Sequence, residues 1–93
     1  MEKEIKLIKN PEALFRQTDD EGFLFNPNDA TLITINKPGI FIWNLLDGKH
    51  TNKDIAEAIF RKYKGSTLRN IKDDLDKFVS KLKKAGFIDK ITR

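Results

Sequence analysis

Ninety-three residues, 39% hydrophobic and 34% charged, suffice for one globular domain with a modest core and are too few for two. With no cysteine there can be no disulfide or thiolate metal site, and no apolar run approaches the ~20 residues that span a bilayer. The net charge of +4 is the difference of 18 basic and 14 acidic residues; lysines alternating with Asp and Glu read as solvated helix faces rather than a nucleic-acid patch.

The start of the chain, Met1-Glu2-Lys3-Glu4-Ile5-Lys6, lacks the apolar region of a signal peptide, so a cytoplasmic location is expected for a single domain over residues 1–93. Residues 1–10, with Ile5, Leu7 and Ile8 among lysines, read as either a short strand or a loosely docked, flexible arm. Leu14–Gln17 reads as a first strand, Phe23–Phe25 as a second and Ala30–Ile35 as a third. The clusters Asp19-Asp20-Glu21-Gly22 and Asn26-Pro27-Asn28-Asp29 mark turns between them, giving a small antiparallel meander. Alternation puts Ile33 and Ile35 on one face of the third strand, Leu32 and Thr34 on the other.

Three helices are expected to follow. Pro38 suits a first helical position, and Pro38–Leu46 gives two apolar turns with Trp43 as core anchor and Gly48 as a left-handed stop. Lys49-His50 reads as a link. Thr51, with Asp54 three residues on, caps the second helix, whose Ile55, Ala56, Ile59, Phe60 and Tyr63 share a face and which Gly65 ends. Ser66 or Thr67 caps the third, along which Leu68, Ile71, Leu75, Phe78, Val79 and Leu82 keep helical spacing until Gly86. Phe87-Ile88 reads as a short return strand. The fold class is α+β: a three-stranded antiparallel sheet followed by three helices, the last two arranged like a winged helix-turn-helix.

Catalytic chemistry is absent from this pattern. His50 is the single histidine, and one histidine without cysteine makes no ordinary zinc site. Asp73, Asp74 and Asp76 lack the glycine turn and closing glutamate of a calcium loop. The glycines stand singly at turns and form no phosphate cradle. The chain therefore reads as a binding module that is not an enzyme and holds no metal.

An ordered set of residues carries a resemblance. It runs Ile35-Asn36-x-x-Gly39-x-x-Ile42-Trp43-x-Leu45-Leu46-Asp47-Gly48, then Thr51-x-x-x-Ile55-Ala56 and Tyr63. It resumes as Ile71-x-x-Asp74-Leu75-x-x-Phe78-Val79-x-x-Leu82-x-x-x-Gly86-Phe87-Ile88, with Pro11 and Phe15-Arg16 upstream. In these residues the chain resembles the family of the pyrroloquinoline quinone biosynthesis protein D (PqqD-like), recognition elements for ribosomally made, post-translationally modified peptides. Position 35 is isoleucine where leucine is usual. The resemblance implies a non-catalytic peptide chaperone that needs no cofactor. Its partners would be the leader segment of a precursor peptide and a peptide-modifying enzyme, either a radical SAM enzyme or a leader peptidase and cyclase system. The leader would add as a strand to the third strand and lie against the third helix.

The residues themselves suit that mechanism, because a free strand edge offers backbone pairing while side-chain pockets add specificity. Leu32, Ile33, Thr34 and Ile35 would supply the ladder. Ile33 and Ile35 would form one apolar wall, and Ile71, Leu75 and Phe78 the other. Asp74 and Lys81 flank that stripe at helical spacing. The alternative is a winged-helix nucleic-acid binder using Arg69, Asn70 and Lys72; the acids at 73, 74 and 76 oppose it.

Overall fold

The computed structural model describes residues 5–92, and of residues 90–92 the backbone alone. Its elements are β1 (Ile5–Lys9), β2 (Leu14–Gln17), β3 (Gly22–Asn26), β4 (Thr31–Ile35), α1 (Lys37–Asn44), β5 (Asp47–Thr51), α2 (Asn52–Lys62), α3 (Leu68–Lys84) and β6 (Ile88–Thr92). The fold is α+β, as expected, but it has two antiparallel three-stranded sheets rather than one. The expected meander is the sheet ordered β2-β3-β4; the second is ordered β5-β1-β6.

Residues 5–9 are thus the central strand of a sheet and not an arm, while residues 1–4 of the expected arm lie outside the described residues. Leu7 is buried at the middle of β1. The polar stretch Asp47–Thr51, expected as a stop and a link, becomes a strand because β1 offers it an edge to pair with. The pairing jumps from Leu7–His50 to Ile8–Asp47, so Gly48 and Lys49 form a bulge. Gly48 does have positive φ, +81°, but it serves this bulge. Asp47 Oδ1 accepts from Lys49 N–H and His50 Nδ1, each at 2.9 Å, which holds the kink. Helix α1 is closed instead by Leu45, whose N–H reaches the Ile42 and Trp43 carbonyls.

The caps follow the sequence signals closely. The Asn36 side chain accepts from Gly39 N–H at 3.0 Å and starts α1 one residue before Pro38. Thr51 and Asp54 form a reciprocal capping box, both bonds 3.1 Å. Thr67, not Ser66, caps α3. At the other end of α3, Phe87 N–H bonds Leu82 O at 2.9 Å and Gly86 N–H bonds Lys83 O at 3.1 Å, with Gly86 at φ +84°. This double bond pattern ends the helix and turns the chain toward β6.

Trp43 is the hub of the core. Its ring lies 6.1 Å from Phe15 of β2 and 6.5 Å, edge-on, from Phe87 before β6, and Lys9 of β1 covers it at 5.2 Å. One side chain on α1 therefore touches both sheets, around a cluster that includes Leu24, Leu46, Ile55, Leu75 and Leu82.

Leu7→Ala is expected to destabilise the domain by about 2–5 kcal/mol, read from urea midpoints, because the site is enclosed; Ile5→Ala, at 40% exposure, stays below about 1 kcal/mol. Acid sensitivity is a second expectation. Hydrogen bonds from Thr31 hold the Asp29 carboxyl below its ordinary value. Partial burial pushes Asp47 upward, but the bonds from His50 and Lys49 outweigh it and leave that carboxyl lowered as well. Both groups bind protons more readily in the unfolded chain. Their contribution is complete above the unfolded value of 3.8 and is lost as pH falls through the lower folded values. Urea midpoints measured against pH should drop below about pH 4, and Asp29→Asn with Asp47→Asn should flatten that drop.

Candidate functional site

Strand β4 pairs with β3 on one side, from Asn26–Thr31 to Gly22–Ile35, and among the described residues has no neighbour on the other. Along an edge strand, alternate N–H and C=O groups point outward and unpaired. Its side chains alternate as the sequence predicts: Leu32 and Thr34 exposed, Ile33 half-buried and Ile35 buried. Leu32, at 62% exposure, ends a row in direct register with Phe25 and with Leu14 of β2, on the face of the sheet away from Ile33 and Ile35.

Helix α3 packs on α2 and β6 and leaves an open groove beside β4. This groove, about 780 Å³, is lined by Ile33 with Lys77, Ser80, Lys81 and Lys84 among the α3 residues. A second recess, about 450 Å³, lies between the three helices and is lined by Ile42, Ile59, Ile71, Leu75, Phe78 and, as its one charged residue, Asp74. Asn36, Pro38, Gly39, Tyr63 and Ser66 complete its rim.

The residues expected in one continuous groove therefore fall into two groups. Ile33 and Lys81 share the groove at the C-terminal half of α3. Ile71, Asp74, Leu75 and Phe78 share the recess at its N-terminal half. Ile35 is not an open wall: at 4% exposure it belongs to the core, beneath the seam between the two spaces. Ile71 and Leu75 are also mostly buried and present only an edge to the recess. The alternation that identifies an inward face does not say how deep that face lies, and depth separates Ile33 from Ile35.

Gly39 makes this seam possible. A methyl group placed on it would stand 3.0 Å from Ile35 Cβ and 3.2 Å from Phe78 Cζ. The end of β4, the first turn of α1 and α3 meet here so closely that a side chain at position 39 would have to displace its neighbours. In the sequence Gly39 reads only as a glycine at a turn. Lys77 and Lys84 line the groove with Lys81, and their spacing is legible in the sequence, but a charged face with no visible partner reads there as solvent-exposed.

Among the described residues no group of three or more His, Cys, Asp or Glu converges as metal ligands, and no helix is long and apolar enough to cross a membrane. What the site offers is backbone pairing, apolar walls and fixed charges.

An α+β domain with an open strand edge beside a helical groove is the class of protein this geometry defines. The family model described as Coenzyme PQQ synthesis protein D (PqqD) matches residues 21–88, from the start of β3 to the start of β6, and the chain belongs to that family. Its fold is shared by TbiB1, solved in complex with the TbiA(beta) leader peptide, at TM-score 0.79 and 22% identity over 88% of this chain and 94% of that one. It is likewise shared by a lasso peptide synthetase B1 complexed with the leader peptide, at TM-score 0.78 and 21% identity over 90% and 98%. The heterocyclase TruD contains a similar unit, at TM-score 0.65 and 15% identity, covering 94% of this chain and 12% of TruD. No curated protein matches the chain.

Gly39→Val is expected to force β4 and α3 apart at the seam. The domain should lose about 1–3 kcal/mol of stability in urea, the cost of overpacking, and the Phe78 ring resonances should move while those of Phe60, on α2, stay in place.

Proposed function

We propose that this chain is a non-catalytic recognition module that captures the leader segment of a ribosomally synthesised precursor peptide and presents it to a modifying enzyme. The observation that carries this reading is the unpaired edge of β4 with Ile33 turned into the groove beside α3. Membership of the PqqD family supports it, as does the shared fold with two proteins solved with leader peptides. Leu32, Ile33, Thr34 and Ile35 would give the backbone ladder. Ile33 and Lys81 would meet side chains in the groove, and Ile71, Asp74, Leu75 and Phe78 would meet them in the recess.

The physics suits a carrier. Backbone pairing gives affinity with little demand on sequence. A disordered leader loses conformational entropy on docking, which limits affinity and permits release. Tethering raises the local concentration of the segment to be modified to about the millimolar range at the enzyme. The enzyme would be a radical SAM enzyme or a leader peptidase and cyclase system, and the encounter would take place in the cytoplasm, where precursor peptides are made. Duplex DNA is not favoured as a partner, since α3 exposes Asp73, Asp74 and Asp76.

The test is titration of the isotopically labelled chain with the leader of the precursor encoded beside it. Amide shifts should concentrate in residues 31–36 and along α3; shifts that avoid both would overturn the site. Ile33→Asp should weaken binding about tenfold or more, because it puts a carboxylate on an apolar wall. Circular dichroism should report a folded domain, Ile33 being only half-buried.

A further inference from the structure

The groove and the recess differ in charge. Lys77, Lys81 and Lys84 follow the spacing i, i+4, i+7, which places them on one side of α3, and all three line the groove beside Ile33. Asp76 lines it too, but also borders the smaller recess between α2 and α3 next to Lys53 and Lys72. The groove therefore carries three ammonium groups against one carboxylate, which it shares with that smaller recess. Among the described residues Lys37 pairs with Asp20 and His50 hydrogen-bonds Asp47, and neither contact involves these lysines. Two turns earlier on the helix, the other recess holds a single charge, the exposed Asp74, beside the apolar Ile71, Leu75 and Phe78.

Resting on the strand-addition reading, we infer that the peptide taken by this site is itself polarised. It carries an Asp or Glu where it passes Ile33 and Lys81, and an apolar residue, neutral or cationic at its tip, where it enters the recess beside Asp74. Backbone pairing alone tolerates either strand direction and a register slid by two residues. Charge removes that ambiguity. A reversed peptide would set its carboxylate against Asp74 and leave the lysines unmatched, and like charges brought together discriminate more strongly than attraction alone.

The spacing of the two groups follows from helix and strand geometry. Asp74 and Lys81 are seven residues apart, about 10 Å along a helix rising 1.5 Å per residue. An extended peptide covers about 3.3 Å per residue. The acid and the apolar residue must project from the same side of the peptide, so they stand two or four positions apart.

The test uses a display library of randomised peptides of about twelve residues, long enough to span groove and recess. It is selected on the full chain, on Lys77→Glu/Lys81→Glu/Lys84→Glu, and on the corresponding glutamine variant, which keeps the helix intact if the reversal does not. Peptides enriched on the wild type should place Asp or Glu two or four positions from an apolar residue, always in the same order. They should lose about tenfold in affinity on the charge-reversed variant, and that variant should itself select Lys or Arg at the acidic position. If the glutamine variant alone is folded, the wild-type peptides should weaken on it and lose their salt dependence. Peptides that shift the β4 amides but show no acidic preference and no response to the lysine changes would overturn this inference and leave strand addition standing. A selection that yields no peptide shifting β4 would overturn strand addition, and the inference with it.

Discussion

The C-terminus of α3 is held in place by two buried or half-buried asparagines, and the site depends on that junction. Asn26, 4% exposed at the end of β3, donates from its amide to Ala85 O at 3.1 Å and accepts from Asn28 N–H at 3.0 Å. Asn10, following β1, donates to Gly86 O at 2.9 Å, and its own N–H reaches Phe87 O. One strand from each sheet thus grips the same helix end. A helix terminus leaves carbonyls without partners, and burying them unpaired would cost about 1–3 kcal/mol each. Gly86 is fixed twice over: its φ is positive, and a Cβ would come within 2.6 Å of the Asn26 amide nitrogen.

This junction marks one end of the groove, since Ala85, whose carbonyl Asn26 holds, also lines it. If α3 lay flat on the β2-β3-β4 sheet, Ile33 would be buried like Ile35. Pinned at its C-terminus to β3 and to the turn after β1, and packed along α2 and β6, α3 leaves Ile33 half-buried at an open groove, while Ile35, beside Gly39, is buried. Trp43 reinforces the arrangement from inside, since its contacts with Phe15, Phe87 and Lys9 fix the two sheets relative to α1. The free edge and the open groove are consequences of where the core is filled.

A strand edge is a hazard in a protein with no use for it, because it pairs with any extended chain. Here the edge is short, at five residues, and the groove beside it is charged. Short length limits indiscriminate pairing, while the groove and recess give an added strand something to be matched against. In the functional reading, affinity comes from the part of the site that has no sequence and selectivity from the part that does.

Much of the fold was legible locally. The meander, the three helices, the cap at Thr51 and the stop at Gly86 each rest on residues within a few positions of one another, so the sequence by itself determined them, while it left the cap of α3 open between Ser66 and Thr67. It also determined which side chains of β4 point inward, because alternation is a property of an extended backbone. The second sheet was legible only in part: a strand near residues 5–8 and a return strand at Phe87-Ile88 could be read, but Asp47–Thr51 has no strand signal of its own and pairs because β1, about forty residues earlier in the chain, presents an edge. The division of the site was not legible. Ile33 and Ile35 look alike in sequence, as do Lys77, Lys81 and Lys84 and any solvated lysines. Only packing across the chain decides that one isoleucine is core and the other a wall, and that those lysines face it, because burial depth and charge environment are set by distant neighbours and leave no periodic trace in the strand or helix that bears them.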